Sequence, residues 1–417
     1  MIKNEKALYM KKQIQTLMAQ KKLDAILISG SREHNPFLTY FVGDAFFTQA
    51  DVLVMRDREP LLFYRVMERD TAAMTSLQGV CYNDLEVSRY RDCSERTNTL
   101  LAALRYAGMT SGRIALCGRV ELNTAYQTIL QLQNKLPELE FVGGLGDEIL
   151  NEARYLKDPE EIDKIRDMCG IVTTVVGRVE NFIASRYLHD GVLMNDDGTP
   201  VTIGKIKSLI NLWLGELGAE NPEGTIFSQG RDAGVPHNQG NDAEPLQAGK
   251  SIVYDFFPCG MGGGYFGDFT RTWCIGWAPD EVKVAYAEVK EIHDLIAEKA
   301  RSGMKFKDLQ QMTCDFFKSH GHVTVDEDVK VTNGYMHSVG HGVGLNIHER
   351  PFSSKSSSDK DLLLPGAVFT IEPGLYYPDK PEGYGVRIED TYYMNAEGKA
   401  VPLTEYPYRL IIDVPAK

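Results

Sequence analysis

Three of the nine histidines, His337, His341 and His348, fall within twelve residues in the stretch Tyr335–Pro351, YMHSVGHGVGLNIHERP. His337 and His341 lie four apart, which on a helix would put both imidazoles on one face as a zinc pair. Two features argue against that helix. Gly340, Gly342 and Gly344 interrupt it, each at a cost of about 1 kcal/mol relative to Ala, and Ser338 stands where the zinc-helix pattern has Glu. The spacing predicts an extended, closely packed segment whose glycines let backbone pass near a ligand or metal. In a strand, His337 and His341 share a face with Val339 and Val343. Such a segment offers one or two imidazoles, so other segments must supply the rest of a site.

Acids with a repeated pattern stand on either side of it. LQAGKSIVYDF (Leu246–Phe256) resembles LLPGAVFTIEP (Leu363–Pro373): Gly249 precedes Asp255 by six residues, and Gly366 precedes Glu372 by six. Each is followed by a glycine-containing turn and a second β-prone run with another acid, Asp268 in GYFGDFTRTW and Glu389 in GYGVRIEDTYY. In both second runs a threonine lies two residues beyond the acid, Thr270 and Thr391. Two echoing hairpins with two acids each predict a pseudo-symmetric convergence of four carboxylates.

Four carboxylates in apolar strands require large pKa shifts or a compensating cation. Two divalent ions supply that compensation, with His341 completing a set of Asp255, Asp268, Glu372, Glu389 and one imidazole. Ions about 3.5–4 Å apart can share a hydroxide and polarise a carbonyl, which is hydrolytic chemistry. Oxygen-rich ligation favours Mn²⁺, while Co²⁺, Zn²⁺ and Fe²⁺ also fit. Taken singly, each acid or histidine is more often a capped, paired or surface group; the joint pattern carries the reading. His34 and His189, which stand alone in turn-rich contexts, are read as loop or surface residues.

Composition excludes several other classes. A chain of 417 residues accommodates two or three domains. A net charge of −13 disfavours nucleic acid and anionic membrane surfaces as partners. Seven scattered cysteines without a CxxC suit reduced thiols in a cytoplasmic protein. The opening MIKNEKALYMKKQ lacks the apolar core of a signal peptide, and no apolar run is long enough to span a bilayer.

The elements that must position the site follow from periodicity. An amphipathic helix is expected over 5–22, followed by strands at Asp24–Ser29, two within Asp51–Arg65, and Arg113–Gly118. Helices at Arg96–Ala107 and Leu122–Leu136 flank them, making a small α/β domain. Gly143–Pro159 reads as a boundary, after which Asp158 caps a helix that begins at Pro159 and runs to about Ala184. Further helices are expected at Val201–Leu217, Asp280–Arg301 and Lys307–His320. Leu188–Pro200 reads as a polar surface loop, and Ser353–Asp361, SSKSSSDKD, as a mobile one.

The His341-Gly-x-Gly segment with His348, TIEPG, VRIED and GDFTRTW together resemble the pita-bread metallopeptidases, and are most similar to the Xaa-Pro aminopeptidases and Xaa-Pro dipeptidases (prolidases). The resemblance spans roughly residues 155–410; the portion before it is similar to the creatinase-type N-terminal domain. It implies an α/β (α+β) chain with a creatinase-like domain over 1–154 and a pita-bread catalytic domain over 155–417, the latter a pseudo-two-fold antiparallel sheet with flanking helices. It implies metal ligation by Asp255, Asp268, His341, Glu372 and Glu389, with Asp268 and Glu389 bridging. His237, in VPHN, matches a histidine that contacts substrate or the tetrahedral intermediate, and His348 and His337 match two more near the site. Arg387 matches an arginine that orients the ligands, and Glu372 is the candidate proton shuttle. A peptide with proline at the second position, a homodimer and two metal ions per chain are implied with them.

Two departures matter. Asp255 and Asp268 are thirteen apart, about two more than the family's usual spacing, an excess that a longer glycine-rich turn can absorb. Dipeptidase members tend to carry an arginine just beyond the proline that follows the histidine, whereas here Phe352 follows Pro351 and Arg350 precedes it. That tilts the expectation toward an aminopeptidase acting on longer peptides, with the dipeptidase as the alternative. A metal-independent creatinase-like hydrolase and a non-catalytic binding module share the fold, but all five ligand positions here are filled. The separate N-terminal domain and His337 favour the proline-specific branch over methionine aminopeptidases.

Overall fold

A computed structural model describes residues 13–87 and 93–415. The chain forms two compact units, Met1–Arg154 with Gly262–Gly264, and Tyr155–Met261 with Tyr265–Lys417. Of the helix expected over 5–22, residues 13–20 are helical, and the part before residue 13 lies outside the described residues.

The first unit is built on a mixed six-stranded sheet. Its order is Gln78–Cys81, Leu61–Tyr64, Ala50–Met55, Ala25–Gly30, Gly112–Arg119 and Leu139–Val142. The central Ala25–Gly30 strand pairs antiparallel with Ala50–Met55 and parallel with Gly112–Arg119. Because side chains alternate across a strand, Ile26, Ile28, Val52 and Val54 pack on one face with Leu38, Ile149 and Leu150. Leu27, Leu53 and Phe63 pack on the other with Leu100, Leu104 and Leu132. Both faces are thus covered by helices, as expected of an α/β layer.

The second unit holds the two acid-bearing hairpins. Ser251–Phe256 and Phe269–Ile275 pair antiparallel at the centre of a four-stranded sheet that includes Ile226–Gln229 and Ile411–Ile412. Val368–Ile371 and Asp390–Met394 pair antiparallel in a five-stranded sheet with His341–Gly342, Glu349–Phe352 and Ala400–Pro402. A helix pair backs each: Pro159–Ala184 and Ile203–Glu216 bury valines and isoleucines against the first, while Asp280–Lys299 buries valines and isoleucines, and Phe306–Ser319 buries Phe306, Leu309 and Phe317, against the second. The Pro159–Ala184 helix opens with a capping box in which Asp158 and Glu161 satisfy each other's backbone N–H groups.

Two expected loops are more ordered than their polar composition implies. Leu188–Pro200 overlaps a hairpin, Tyr187–His189 with Val192–Met194, turned at Asp190-Gly191. Ser353–Asp361 is tied at both ends. Ser353 is buried and accepts a hydrogen bond from Gly340 N at 3.0 Å, and the buried Asp361 accepts one from Arg350 Nε at 2.7 Å. Composition describes the middle of such a segment and misses its anchored ends.

The His341–Gly342 strand runs between Glu349–Phe352 and Val368–Ile371, and its glycines answer to crowding by backbone. A β-carbon on Gly340 would stand 2.1 Å from the Thr370 carbonyl oxygen, and one on Gly342 2.1 Å from that of Arg350. The close approach is to neighbouring strands, where a ligand or metal was expected. Gly340→Ala should therefore lower unfolding stability by about 1–3 kcal/mol. Gly170→Ala, in a helix where the added methyl meets nothing within 4 Å, should be neutral or stabilise by up to about 1 kcal/mol. Denaturant unfolding of the two variants checks the contrast.

Candidate metal centre and its cavity

The strand pairing brings distant acids to one place. Asp255 lies opposite Thr270 in register; Asp268 directly precedes its strand, Glu372 directly follows Val368–Ile371, and Glu389 directly precedes Asp390–Met394. The hairpins cross where Thr270 N donates to Glu389 O at 3.4 Å and Glu389 N donates to Thr270 O at 3.0 Å. The paired threonines reach across that crossing: Thr270 Oγ1 donates to Glu389 Oε2 at 2.7 Å, and Thr391 Oγ1 to the Asp268 carbonyl at 2.8 Å.

All nine residues singled out from the sequence line one cavity of about 420 Å³: Asp255, Asp268, His341, Glu372 and Glu389, with His237, His337, His348 and Arg387. Ligand-competent atoms of Asp268, His341 and Glu389 all lie within 4.8 Å of one another. Glu372 Oε1 lies 3.4 Å from His341 Nε2. Asp255 Oδ1 is buried and finds no hydrogen-bond partner among the described residues. Two buried acids, Asp268 and Glu389, and the partly buried Glu372 around one imidazole, beside an orphaned carboxylate oxygen, fit a divalent cation by the chemistry of the donors.

Electrostatics agrees with the geometry. Burial, reinforced by the charges of Asp255 and Glu372, pushes the Asp268 carboxyl well up. Burial and then the charges of Asp268, Glu372 and Asp255 do the same to Glu389. Glu372 is raised to about 8, chiefly by burial, with Arg387 opposing. Burial lowers His341 to about 3, so the ring is neutral. Its Nδ1 lies 3.2 Å from the Gly342 carbonyl, which places the proton on Nδ1 and leaves the Nε2 lone pair facing Asp268 and Glu372.

Arg387 is the buried cation of the cluster. Its Nη2 donates to Asp255 Oδ2, its Nε to Thr270 Oγ1 at 3.3 Å, and its Nη1 to Tyr376 Oη at 2.8 Å. Tyr376 lies in turn 2.7 Å from His337 Nε2, and His337 Nδ1 lies 2.8 Å from the Ser338 carbonyl. Both nitrogens of His337 are therefore engaged, and burial holds its ring neutral with a pKa of about 3. His237 and His348 instead stand on the exposed wall. Sequence reasoning missed Tyr376, whose only local signal is its place on the short Gly374–Tyr377 strand pairing with the strand that bears Arg387. Phe352 lines the cavity, while Arg350 is turned to Asp361 and the Tyr155 ring.

Residues 163–396 match metallopeptidase family M24, and residues 11–155 match the creatinase/prolidase N-terminal domain. The chain is 30% identical over 254 residues to an Xaa-Pro dipeptidase of Pyrococcus furiosus, an alignment covering 60% of this chain and 64% of that protein. The prolidase of Pyrococcus horikoshii shares the fold at a TM-score of 0.72 with 22% identity, covering 97% of this chain and 100% of that one. An X-Pro aminopeptidase of Thermotoga maritima does so at 0.72 with 24% identity, covering 94% and 98%. No helix among the described residues is long and apolar enough to cross a membrane.

The raised carboxyls have a measurable consequence. In protein stripped by a chelator, Asp268, Glu372 and Glu389 hold protons that the unfolded chain releases. Their contribution is complete below the ordinary carboxylate range and is lost as pH rises through their folded values. His337 and His341, held low, act oppositely, but only below about 6.5. Between about pH 6.5 and 8 the stripped protein should therefore lose stability as pH rises. Divalent metal should remove that trend and release protons on binding. Melting curves across this window, and titration calorimetry in buffers of different ionisation enthalpy, check both signs.

Proposed function

Because the chain belongs to metallopeptidase family M24, a divalent-metal-dependent peptidase family, we propose that it is an Xaa-Pro aminopeptidase using two divalent ions. The convergence of four acids and His341 on one cavity carries this reading. Asp255, Asp268, His341, Glu372 and Glu389 would hold the ions, with Mn²⁺ favoured by the oxygen-rich set. When bound, such ions supply Lewis acidity for a carbonyl and an activated water nucleophile at neutral pH.

The remaining steps belong to the chain's own side chains. Glu372 is the proton carrier, taking the proton of the attacking water and returning it to the departing proline nitrogen. Thr370 Oγ1, 3.4 Å from Glu372 Oε1, orients it, and His337 Nδ1 stands 3.8 Å from Oε2. His237 and His348, on the exposed wall, contact the peptide and the oxyanion of the tetrahedral state. Ile226, Phe257, Ile347 and Phe352 supply an apolar wall suited to a pyrrolidine ring.

A preference for peptides longer than two residues is supported by the cations at hand. Arg387 is the single Arg or Lys among the described lining residues, and its guanidinium is committed to Asp255 and Tyr376. A dipeptide's terminal carboxylate would meet no lysine or second arginine there. The name of the Pyrococcus furiosus relative favours the second reading, an Xaa-Pro dipeptidase.

Chelation should abolish cleavage of Ala-Pro-Ala, and Mn²⁺ should restore it; full activity without metal would sink both readings. Ala-Pro-Ala should be cleaved with the higher kcat/KM, whereas preference for Ala-Pro selects the dipeptidase. Efficient cleavage of Met-Ala-Ser would move the chain out of the proline-specific branch. Glu372→Gln should lower kcat by about 10²–10⁴-fold.

A further inference from the structure

Behind the crossing of the two acid hairpins lies an ion pair that the proposed chemistry does not use. Arg271 follows Thr270, and Asp390 follows Glu389, so each is one residue removed from the crossing. Both are buried, with side-chain exposures of 0% and 1%. Arg271 Nη2 donates to Asp390 Oδ1 at 3.0 Å and Oδ2 at 3.3 Å. Its Nη1 donates to the carbonyls of Thr270 at 3.0 Å and Glu389 at 2.8 Å, and Nη2 also reaches the Tyr406 carbonyl at 3.0 Å. Phe269 and Tyr408 stack on the guanidinium at 4.1 and 4.4 Å. Asp390 further accepts from Thr404 Oγ1 at 2.8 Å and Tyr408 Oη at 2.7 Å.

A buried ion pair is weak evidence for stability, because an apolar pair of similar volume often does as well. Here the distinguishing feature is where the donors go. One guanidinium holds the main chain at Thr270, in the first hairpin, and at Glu389, in the second, while Asp390 fixes the fork's orientation. A lysine, with a compact charge and no planar fork, cannot make these bonds together.

We propose that Arg271, held by Asp390, is a positioning residue for the metal centre. It locks the crossing of the hairpins so that the carboxylates of Asp268 and Glu389 converge. The inference rests on the reading of the cavity as a metal site, and it acts through main chain, since neither residue lines the cavity. It predicts that loosening the pair weakens metal binding in protein that is still folded.

The test uses the full chain, with Mn²⁺ titrated by calorimetry and the visible spectrum of the Co²⁺-loaded protein as a geometric readout. Arg271→Lys should bind Mn²⁺ about 10–100-fold more weakly, the range seen when groups supporting metal ligands are removed, with a shifted Co²⁺ spectrum. Its kcat should fall more than its KM rises. Tyr408→Phe removes one bond to Asp390 at a partly exposed position and should weaken Mn²⁺ binding by a smaller factor. That variant decides the matter if Arg271→Lys fails to fold. Phe317→Leu, in the core of the same unit, controls for general loss of stability and should melt lower with unchanged Mn²⁺ affinity. Wild-type affinity and Co²⁺ spectrum in folded Arg271→Lys, or in Tyr408→Phe where it alone folds, overturn the proposal. Failure of the wild-type protein to bind either ion would instead overturn the metal-centre reading.

Discussion

The constraint on which the rest of the structure depends is the cost of gathering carboxylates away from water. Asp255, Asp268 and Glu389 are buried, and beside burial the charges of Asp255 and Glu372 raise the proton affinity of both Asp268 and Glu389. Among the cavity's described lining residues, Arg387 is the single fixed cation, and the neutral His337 and His341 add no positive charge. One guanidinium cannot balance four acids in a low-dielectric setting. Divalent cations supply the missing charge without protons. Thr270 holds one oxygen of Glu389 and Arg387 one oxygen of Asp255, which leaves Asp255 Oδ1 without a partner among the described residues, and the tautomer of His341 turns its Nε2 lone pair toward the acids.

Much of this was legible in the sequence because the four acids sit near or beside strand ends, where a polar residue interrupts an apolar run. The repeated glycine-to-acid interval and the threonine two residues beyond each second acid made the two hairpins recognisable as a pair. The structure gives those threonines a task that spacing alone could not, since each bonds across to the other hairpin. The glycines around His341 were legible as a demand for close approach, but the sequence cannot say to what. The answer, the carbonyls of Thr370 and Arg350, depends on which strands become neighbours.

The residues that escaped detection did so for related reasons. Tyr376 has no unusual local context; it matters because the hairpin Gly374–Tyr377 with Tyr384–Arg387 places its hydroxyl between Arg387 and His337. Arg271 and Asp390 lie inside recognisable motifs, yet a charged residue on a strand ordinarily reads as a solvated face. The burial of Arg271 and its bonds to Asp390 and to main-chain carbonyls reveal that this charge is interior. A short motif names the residues that touch the site and passes over those that hold the motif in place.

The two hairpins are alike where they must cross and unlike where the site needs asymmetry. In the first, Asp255 lies within its strand opposite Thr270, so a short side chain suffices. In the second, its counterpart Glu372 lies one residue beyond its strand, and a longer side chain spans the added distance, whereas Asp268 and Glu389 match, each one residue before its strand. The second hairpin alone carries a strand pair inserted between its acids, Gly374–Tyr377 and Tyr384–Arg387, and that insertion delivers Arg387 back to Asp255 of the first. Approximate symmetry thus brings four acids together, and its local failure provides the cation and the tyrosine that orient them. Substitutions that preserve the crossing but alter the inserted pair should therefore change how the acids are oriented more than whether they meet.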